Sequence, residues 1–310
     1  ADFDIYASRI DSNGQILDPG GIAISTQAGN EHRPDVTWTG DHYLISWMDR
    51  RGTGTRIYAA RLDVNGTLLD HNGFPLSADG DYSQSPKVSS AATGSLVTYE
   101  GPCGNNCTGV LAVHVDALGT ASTPTIVAAT GREPAIASDG NDFLIVYTDY
   151  RNGAADLYAQ RLDDSGSLLG PELTISVASQ SQLMPSVVAG DGGYVIAWSS
   201  ENQDGSGFGV YARIYDAAGN PITGEIPINS FTTGDQESPE LTPLPDGGFV
   251  VVWESNGQDG AGEGVYAQRF DAAGNAIISN RRKRTRPMVI SIACGDEIRL
   301  TCVDAQRLFQ

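Results

Sequence analysis

One unit recurs along this chain and limits its fold more than any other feature. The segment Ile5-Tyr6-Ala7-Ser8-Arg9-Ile10-Asp11 returns as Ile57-Tyr58-Ala59-Ala60-Arg61-Leu62-Asp63 and as Leu157-Tyr158-Ala159-Gln160-Arg161-Leu162-Asp163. It returns again at Val210-Tyr211-Ala212-Arg213 and Val265-Tyr266-Ala267-Gln268-Arg269, with a worn copy at Val110-Leu111-Ala112-Val113-His114. Every copy ends in Asp-x-x-Gly, and the Asp positions 11, 63, 116, 163, 216 and 271 lie 47 to 55 residues apart. A period in this range signals a repeat architecture. Between the copies lies a second signature, a Pro opening a short strand and then an apolar strand ending in Trp or Tyr. It runs from Pro34 to Trp47, Pro86 to Tyr99, Pro134 to Tyr147, Pro185 to Trp198 and Pro239 to Trp253, with a faint copy from Pro287 to Cys302.

These segments read as strands, being short, rich in Val, Ile, Tyr and Trp, and bounded by Gly, Asp and Asn. Asp-x-x-Gly suits tight turns, where Gly supplies positive φ and Asp bonds local backbone. No run has helical period. Four short antiparallel strands recurring about every 50 residues form the pattern of propeller blades. The expectation is all-β: a single six-bladed β-propeller over 1–310, of four-stranded antiparallel blades. Its last blade would combine about 1–28 with 285–304, so that strands from the two chain ends close the ring and remove exposed edges. The run Arg281-Arg282-Lys283-Arg284-Thr285-Arg286 reads as a basic loop, and the segment after it either as a degenerate closing pair or as an unrelated tail.

Net charge is −19, from 38 acidic and 19 basic residues. That argues against nucleic acid, which needs a basic footprint. No stretch approaches the roughly 18 apolar residues of a membrane span, so no membrane insertion is expected. The first residues show no signal-peptide pattern, as in a mature chain. Cys103 and Cys107 flank a polar loop, and Cys294 and Cys302 lie near the C-terminus. Each pair can close a local disulfide, which fits an oxidising compartment. Free thiols and a zinc site are the rival readings, although Cys-x3-Cys without a nearby His is poor company for zinc.

The repeats at 199–220 and 254–275 carry a family signal: Gln203-Asp204-Gly205-Ser206-Gly207 before Val210-Tyr211-Ala212-Arg213, and Gln258-Asp259-Gly260-Ala261-Gly262-Glu263 before Val265-Tyr266-Ala267-Gln268-Arg269. With Asp246-Gly247-Gly248-Phe249-Val250-Val251-Val252-Trp253 they resemble a repeat of large secreted and surface proteins of bacteria, including calcium-dependent adhesin-like ones. Trp47-Met48-Asp49-Arg50-Arg51 and Tyr147-Thr148-Asp149-Tyr150-Arg151 resemble a sister form. The resemblance spans about residues 1 to 278. It implies a secreted or cell-surface location and an adhesive or scaffolding role.

The longer loops all fall on one face of such a frame, where binding residues usually sit. The candidate ligand contacts there are Asp49, Arg50, Arg51, Asp149, Tyr150 and Arg151. An Arg fork can grip a carboxylate or sulfate, whereas the plainer reading is an Asp–Arg pair stapling neighbouring segments. Asp204, Asp259 and Glu263 are candidate Ca2+ ligands, since hard cations want clustered oxygens, although neither loop is an EF-hand. Catalytic motifs such as His-Glu-x-x-His and Gly-x-Ser-x-Gly are missing. The reading is a non-enzymatic extracellular binding or scaffold module, a monomeric domain of a larger protein, taking a glycan or an extracellular protein on the long-loop face. The alternative is a secreted carbohydrate-active enzyme, a polysaccharide lyase or glycoside hydrolase, with its site on the same face.

Overall fold

Short apolar segments bounded by turn residues fold, among the described residues, as strands and turns, and the second strand of each of the first four blades is buried in a consecutive run, on both of its faces. A computed structural model describes residues 2–104, 107–190 and 192–277. Strands β1 (Ile5–Ala7) and β2 (Ile22–Ser25) form a two-stranded sheet. Blade 1 is β3 (Glu31–Trp38), β4 (His42–Asp49), β5 (Arg56–Asp63) and β6 (Phe74–Pro75). Blade 2 is β7 (Gln84–Ser90), β8 (Gly94–Gly104), β9 (Cys107–Asp116) and β10 (Thr125–Ala128). Blade 3 is β11 (Gly131–Ser138), β12 (Phe143–Asn152), β13 (Ala154–Leu162) and β14 (Leu168–Ser176). Blade 4 is β15 (Gln182–Gly190), β16 (Gly193–Glu201), β17 (Phe208–Asp216) and β18 (Ile226–Pro227). Blade 5 shows three strands among the described residues, β19 (Gln236–Pro243), β20 (Phe249–Asn256) and β21 (Glu263–Phe270).

Among the described residues the blade count is therefore five, which corrects the expected six. The repeat occurs six times, counting the worn copy at Val110-Leu111-Ala112 and the variant at Tyr211-Ala212-Arg213, but its first copy lies on β1, which pairs only with β2 among the described residues. A repeat motif that marks one strand counts strands, not blades. Residues 285–304, expected to close the ring, lie outside the described residues, as do Cys294 and Cys302.

Contacts divide the described residues into two compact units, one of residues 2–8 and 20–185, the other of 9–19 and 186–277. In the first, blades 1 and 2 share a core of Leu44, Ile57, Ala59, Val88, Val97 and Val113, and blades 2 and 3 share Leu96, Val110, Phe143, Ile145 and Tyr147. In the second, Val195, Val210, Phe249, Val251 and Trp253 join blades 4 and 5. Each such large side chain contributes roughly 1.5–3 kcal/mol by leaving water.

Each Asp of Asp-x-x-Gly accepts backbone amides two and four residues ahead, as Asp63 does from Asn65 and Thr67, both within 2.8 Å. The prolines sit differently from the sequence expectation. Pro34, Pro86, Pro134 and Pro239 lie inside their strands, at bulges that break register between His32 and Asp35, Gln84 and Lys87, Arg132 and Ala135, and Glu237 and Glu240. A bulge is where a strand tolerates a residue without an N–H donor.

Candidate functional site

The two Asp-x-Arg tips are internal staples. Asp49 ends β4 with its side chain buried, accepting the Trp47 indole N–H at 2.9 Å and the Arg51 guanidinium at 2.6 Å. Arg51 lies 4.0 Å over the Tyr58 ring and donates to the Asn72 carbonyl at 2.8 Å and the Ser25 hydroxyl at 3.1 Å. Blade 3 repeats this. Arg151 donates to buried Asp149 at 2.7 Å and to Glu172 at 2.6 Å, and lies 4.2 Å over Tyr158. Burial alone would raise the Asp149 carboxyl, but hydrogen bonds from Arg151 and Thr130 outweigh it and hold the pKa below its ordinary value. The same bonds to Asp149 and Glu172 raise Arg151 further. Blade 4 has a version without the Asp–Arg pair, Ser200 donating to Gln203 at 2.6 Å and Gln203 to Glu225 at 2.6 Å. The middle residues, Arg50 and Tyr150, are left exposed.

Asp204 sits in the turn after β16 and accepts the Ser206 amide at 3.2 Å, while Asp259 holds the matching turn of blade 5 and accepts the Ala261 amide at 3.1 Å. These are turn-forming bonds in separate blades. Glu263 begins β21, apart from this pattern. Among the described residues no group of three or more His, Cys, Asp or Glu is arranged to hold a metal ion. Cys103 and Cys107 are joined as a disulfide at the tip of the β8–β9 hairpin, with Cα atoms 5.1 Å apart.

A different set of residues stands out on the first strand of every blade. Arg33, Ser85, Glu133, Met184 and Ser238 each precede the repeated Pro, and each has left-handed backbone, with φ between 51° and 56°. A non-Gly residue there costs on the order of 1–3 kcal/mol. Sequence reading saw the Pro and missed the residue before it. The sequence carried no signal for it, because none of the five is Gly, the residue such a position ordinarily favours.

In the first unit these positions are linked by hydrogen bonds. Arg33 donates to the Ser85 hydroxyl at 2.8 Å. Gln84 donates to Glu100 at 3.1 Å, and the Glu133 amide donates to the same carboxylate at 2.9 Å. Thr148 donates to the Glu133 carboxylate at 3.3 Å. Tyr150, 47% exposed, stands close enough to Glu133, Arg132 and Glu100 for their charges to act on its hydroxyl; burial is the larger cause of its raised pKa. Tyr82, 77% exposed, lies just before the blade 2 bulge. The surface thus offers two open rings beside a mixed set of donors and acceptors.

The second unit carries an acidic pair at the same level of the strand. Glu237 and Glu254 face each other across β19 and β20. Burial raises both carboxyls, and Glu263 raises each further, joined at Glu237 by Asp235 and Glu254.

No protein-family model matches the sequence, and no curated protein matches it. Solved structures do. A thermostable family-43 glycoside hydrolase is 14% identical, with a TM-score of 0.46 over 82% of this chain and 95% of that one. A GH43 endo-arabinanase from Bacillus licheniformis is 14% identical, with a TM-score of 0.42 over 82% and 99%. A mutant α-L-arabinanase from Cellvibrio cellulosa is 15% identical, with a TM-score of 0.43 over 81% and 95%.

Proposed function

We propose that this chain is a carbohydrate-recognition module of a secreted or cell-surface protein, and that it binds glycan across the bulged strands of blades 1 to 3. The observation that supports this reading is the left-handed residue before each repeated Pro. The backbone there is the same in every blade, whereas the side chain it displays is Arg, Ser, Glu, Met or Ser. A fixed and strained frame carrying varied side chains is what recognition requires, and strain of this kind gathers at functional sites. Tyr150 and Tyr82 supply amphipathic rings for the apolar face of a sugar. Arg132, Glu133 and Gln84 supply the polar groups that fix orientation in a binding site. The disulfide of Cys103 with Cys107 suits an oxidising compartment, and the repeat's resemblance to adhesin-like bacterial surface proteins agrees with it.

The test is a glycan array probed with the folded full chain. Saturable binding to one glycan class, lost in Tyr150→Ala and Arg132→Ala, is the expected result. A folded sample that binds no glycan would remove this reading.

A second reading, turnover of the bound polysaccharide, is favoured by Glu237 and Glu254. Two neighbouring carboxyls with raised proton affinity can share general acid and base roles, as in glycoside hydrolysis. Reducing ends released from a polysaccharide panel by the chain, and not by Glu237→Gln or Glu254→Gln, would establish it. Release that persists in both variants would exclude this site.

A further inference from the structure

The first strand of each of blades 1 to 3 carries one Lys or Arg within two residues of its repeated Pro: Arg33 on β3, Lys87 on β7 and Arg132 on β11. The first strands of blades 4 and 5 carry none, and β19 holds Glu237 and Glu240 there instead. Strand β7 contacts both β3 and β11, so the three cations stand on neighbouring strands. Arg33 is tied to β7 through the Ser85 hydroxyl at 2.8 Å. Elsewhere in this unit Arg51, Arg56, Arg61, Arg151 and Arg161 are committed to ion pairs. Lys87 and Arg132 form no ion pair with a described residue, and Arg132 is exposed. The carboxylates of these strands have internal partners. Glu31 is 2% exposed and accepts the Ser25 hydroxyl at 2.7 Å. Asp35 accepts the Val88 amide at 2.8 Å, and Glu133, though exposed, accepts Thr148 at 3.3 Å. In a chain of 38 acidic and 19 basic residues, this surface leaves its cations the more open.

We infer that the glycan recognised here is acidic, a polysaccharide whose sugars bear carboxylate or sulfate groups held by Arg33, Lys87 and Arg132. This rests on the glycan reading above and names its ligand class. Arg132 presents a planar fork that meets either group through two parallel hydrogen bonds, and Lys87 adds a point charge. The charge of Arg132 reaches the hydroxyl of Tyr150, whose ring is 47% exposed, so one sugar unit can meet both fork and ring. An anionic sugar gains a charge-assisted bond from each cation, roughly twice as strong as a neutral one. A neutral sugar leaves those cations to water. Glu237 and Glu240 give β19 the wrong sign for the same ligand.

The test is a glycan panel in which every acidic member is set beside its neutralised form: uronate oligosaccharides with their carboxyl-reduced forms, and sulfated galactans with their desulfated forms. The full chain is expected to bind an acidic member at least ~10-fold more tightly than its neutralised form, the effect of one charge-assisted hydrogen bond. A preference confined to the uronate pairs names the carboxylate, and one confined to the galactan pairs names the sulfate. Arg132→Gln and Lys87→Gln should each remove most of that preference with the melting temperature unchanged. Arg213→Gln, which removes one positive charge from blade 4, should keep it. Binding to neutral members, or to acidic and neutralised forms alike, would overturn the inference and leave the glycan reading standing. No binding to any member would remove both.

Discussion

The backbone amide of Glu133 donates to the carboxylate of Glu100 across 2.9 Å, tying the left-handed residue of blade 3 to the second strand of blade 2. Glu100 is 3% exposed and also accepts from Gln84. Glu100→Ala leaves a strained amide unpaired and is expected to cost about 1–3 kcal/mol. Glu100→Gln keeps an acceptor and costs less. Glu133→Gly removes the backbone strain, so it leaves stability unchanged or raised by up to ~1 kcal/mol while weakening glycan binding. Urea unfolding of the three variants checks the order.

The Asp149–Arg151–Glu172 staple predicts a sharp contrast between neighbours. Arg151→Ala leaves the buried Asp149 without its cation but with its bonds from Thr130 and the residue-151 amide, and is expected to destabilise by about 1–3 kcal/mol. Arg151→Lys does not restore it, because an ammonium cannot reproduce the planar fork that reaches both carboxylates. Tyr150→Ala, one residue away and 47% exposed, changes stability by less than ~0.5 kcal/mol. Thermal melts of all three decide this.

Acid stability follows from the repeated turns. Asp216 and Asp271 have lowered pKa values through the Asn side chain four residues ahead, and Asp63 and Asp116 through the amide of the Thr there. A lowered folded pKa gives stability that is present above the unfolded value, roughly 3.9, and is lost as pH falls through the folded one. Unfolding midpoints should therefore drop below about pH 4. Asp63→Asn and Asp116→Asn should flatten that drop.

Glu237 and Glu254 act in the opposite sense. Their folded pKa values are raised, so their contribution is present below the unfolded value, roughly 4.3, and is lost as pH rises through the folded values. Glu254→Gln removes a like charge directly opposite Glu237 and should stabilise the second unit at pH 7 by roughly 0.2–1 kcal/mol. The gain should vanish near pH 4. Melts at the two pH values test it.

Much of the fold was legible in the sequence, because short β-branched and aromatic segments and the turn residues between them act locally. Asp63 with Gly66 announces its hairpin turn, and Pro34 to Trp47 announces a strand pair. The blade number was less legible. Tyr6 carries the same motif as Tyr58, and only tertiary contacts show that one is 56% and the other 8% exposed. At the candidate site, the pairing of Arg51 with Asp49 and of Arg151 with Asp149 was the plainer reading of the sequence, but the seat of each guanidinium over Tyr58 or Tyr158 depends on side-chain direction. Glu133 was hidden because nothing in its identity reveals a φ of 51°.

The account rests on recognition at the bulged strands of blades 1 to 3, and calorimetric titration of the array's best glycan tests it most directly. The wild-type chain, Tyr150→Ala with Arg132→Ala, and the opposite-end control Val64→Ala would be compared under one set of conditions. The account predicts a Kd at least ~10-fold higher for the double variant, about 1.4 kcal/mol, with its melting temperature unchanged and the control like wild type. Equal affinity in all three would contradict it.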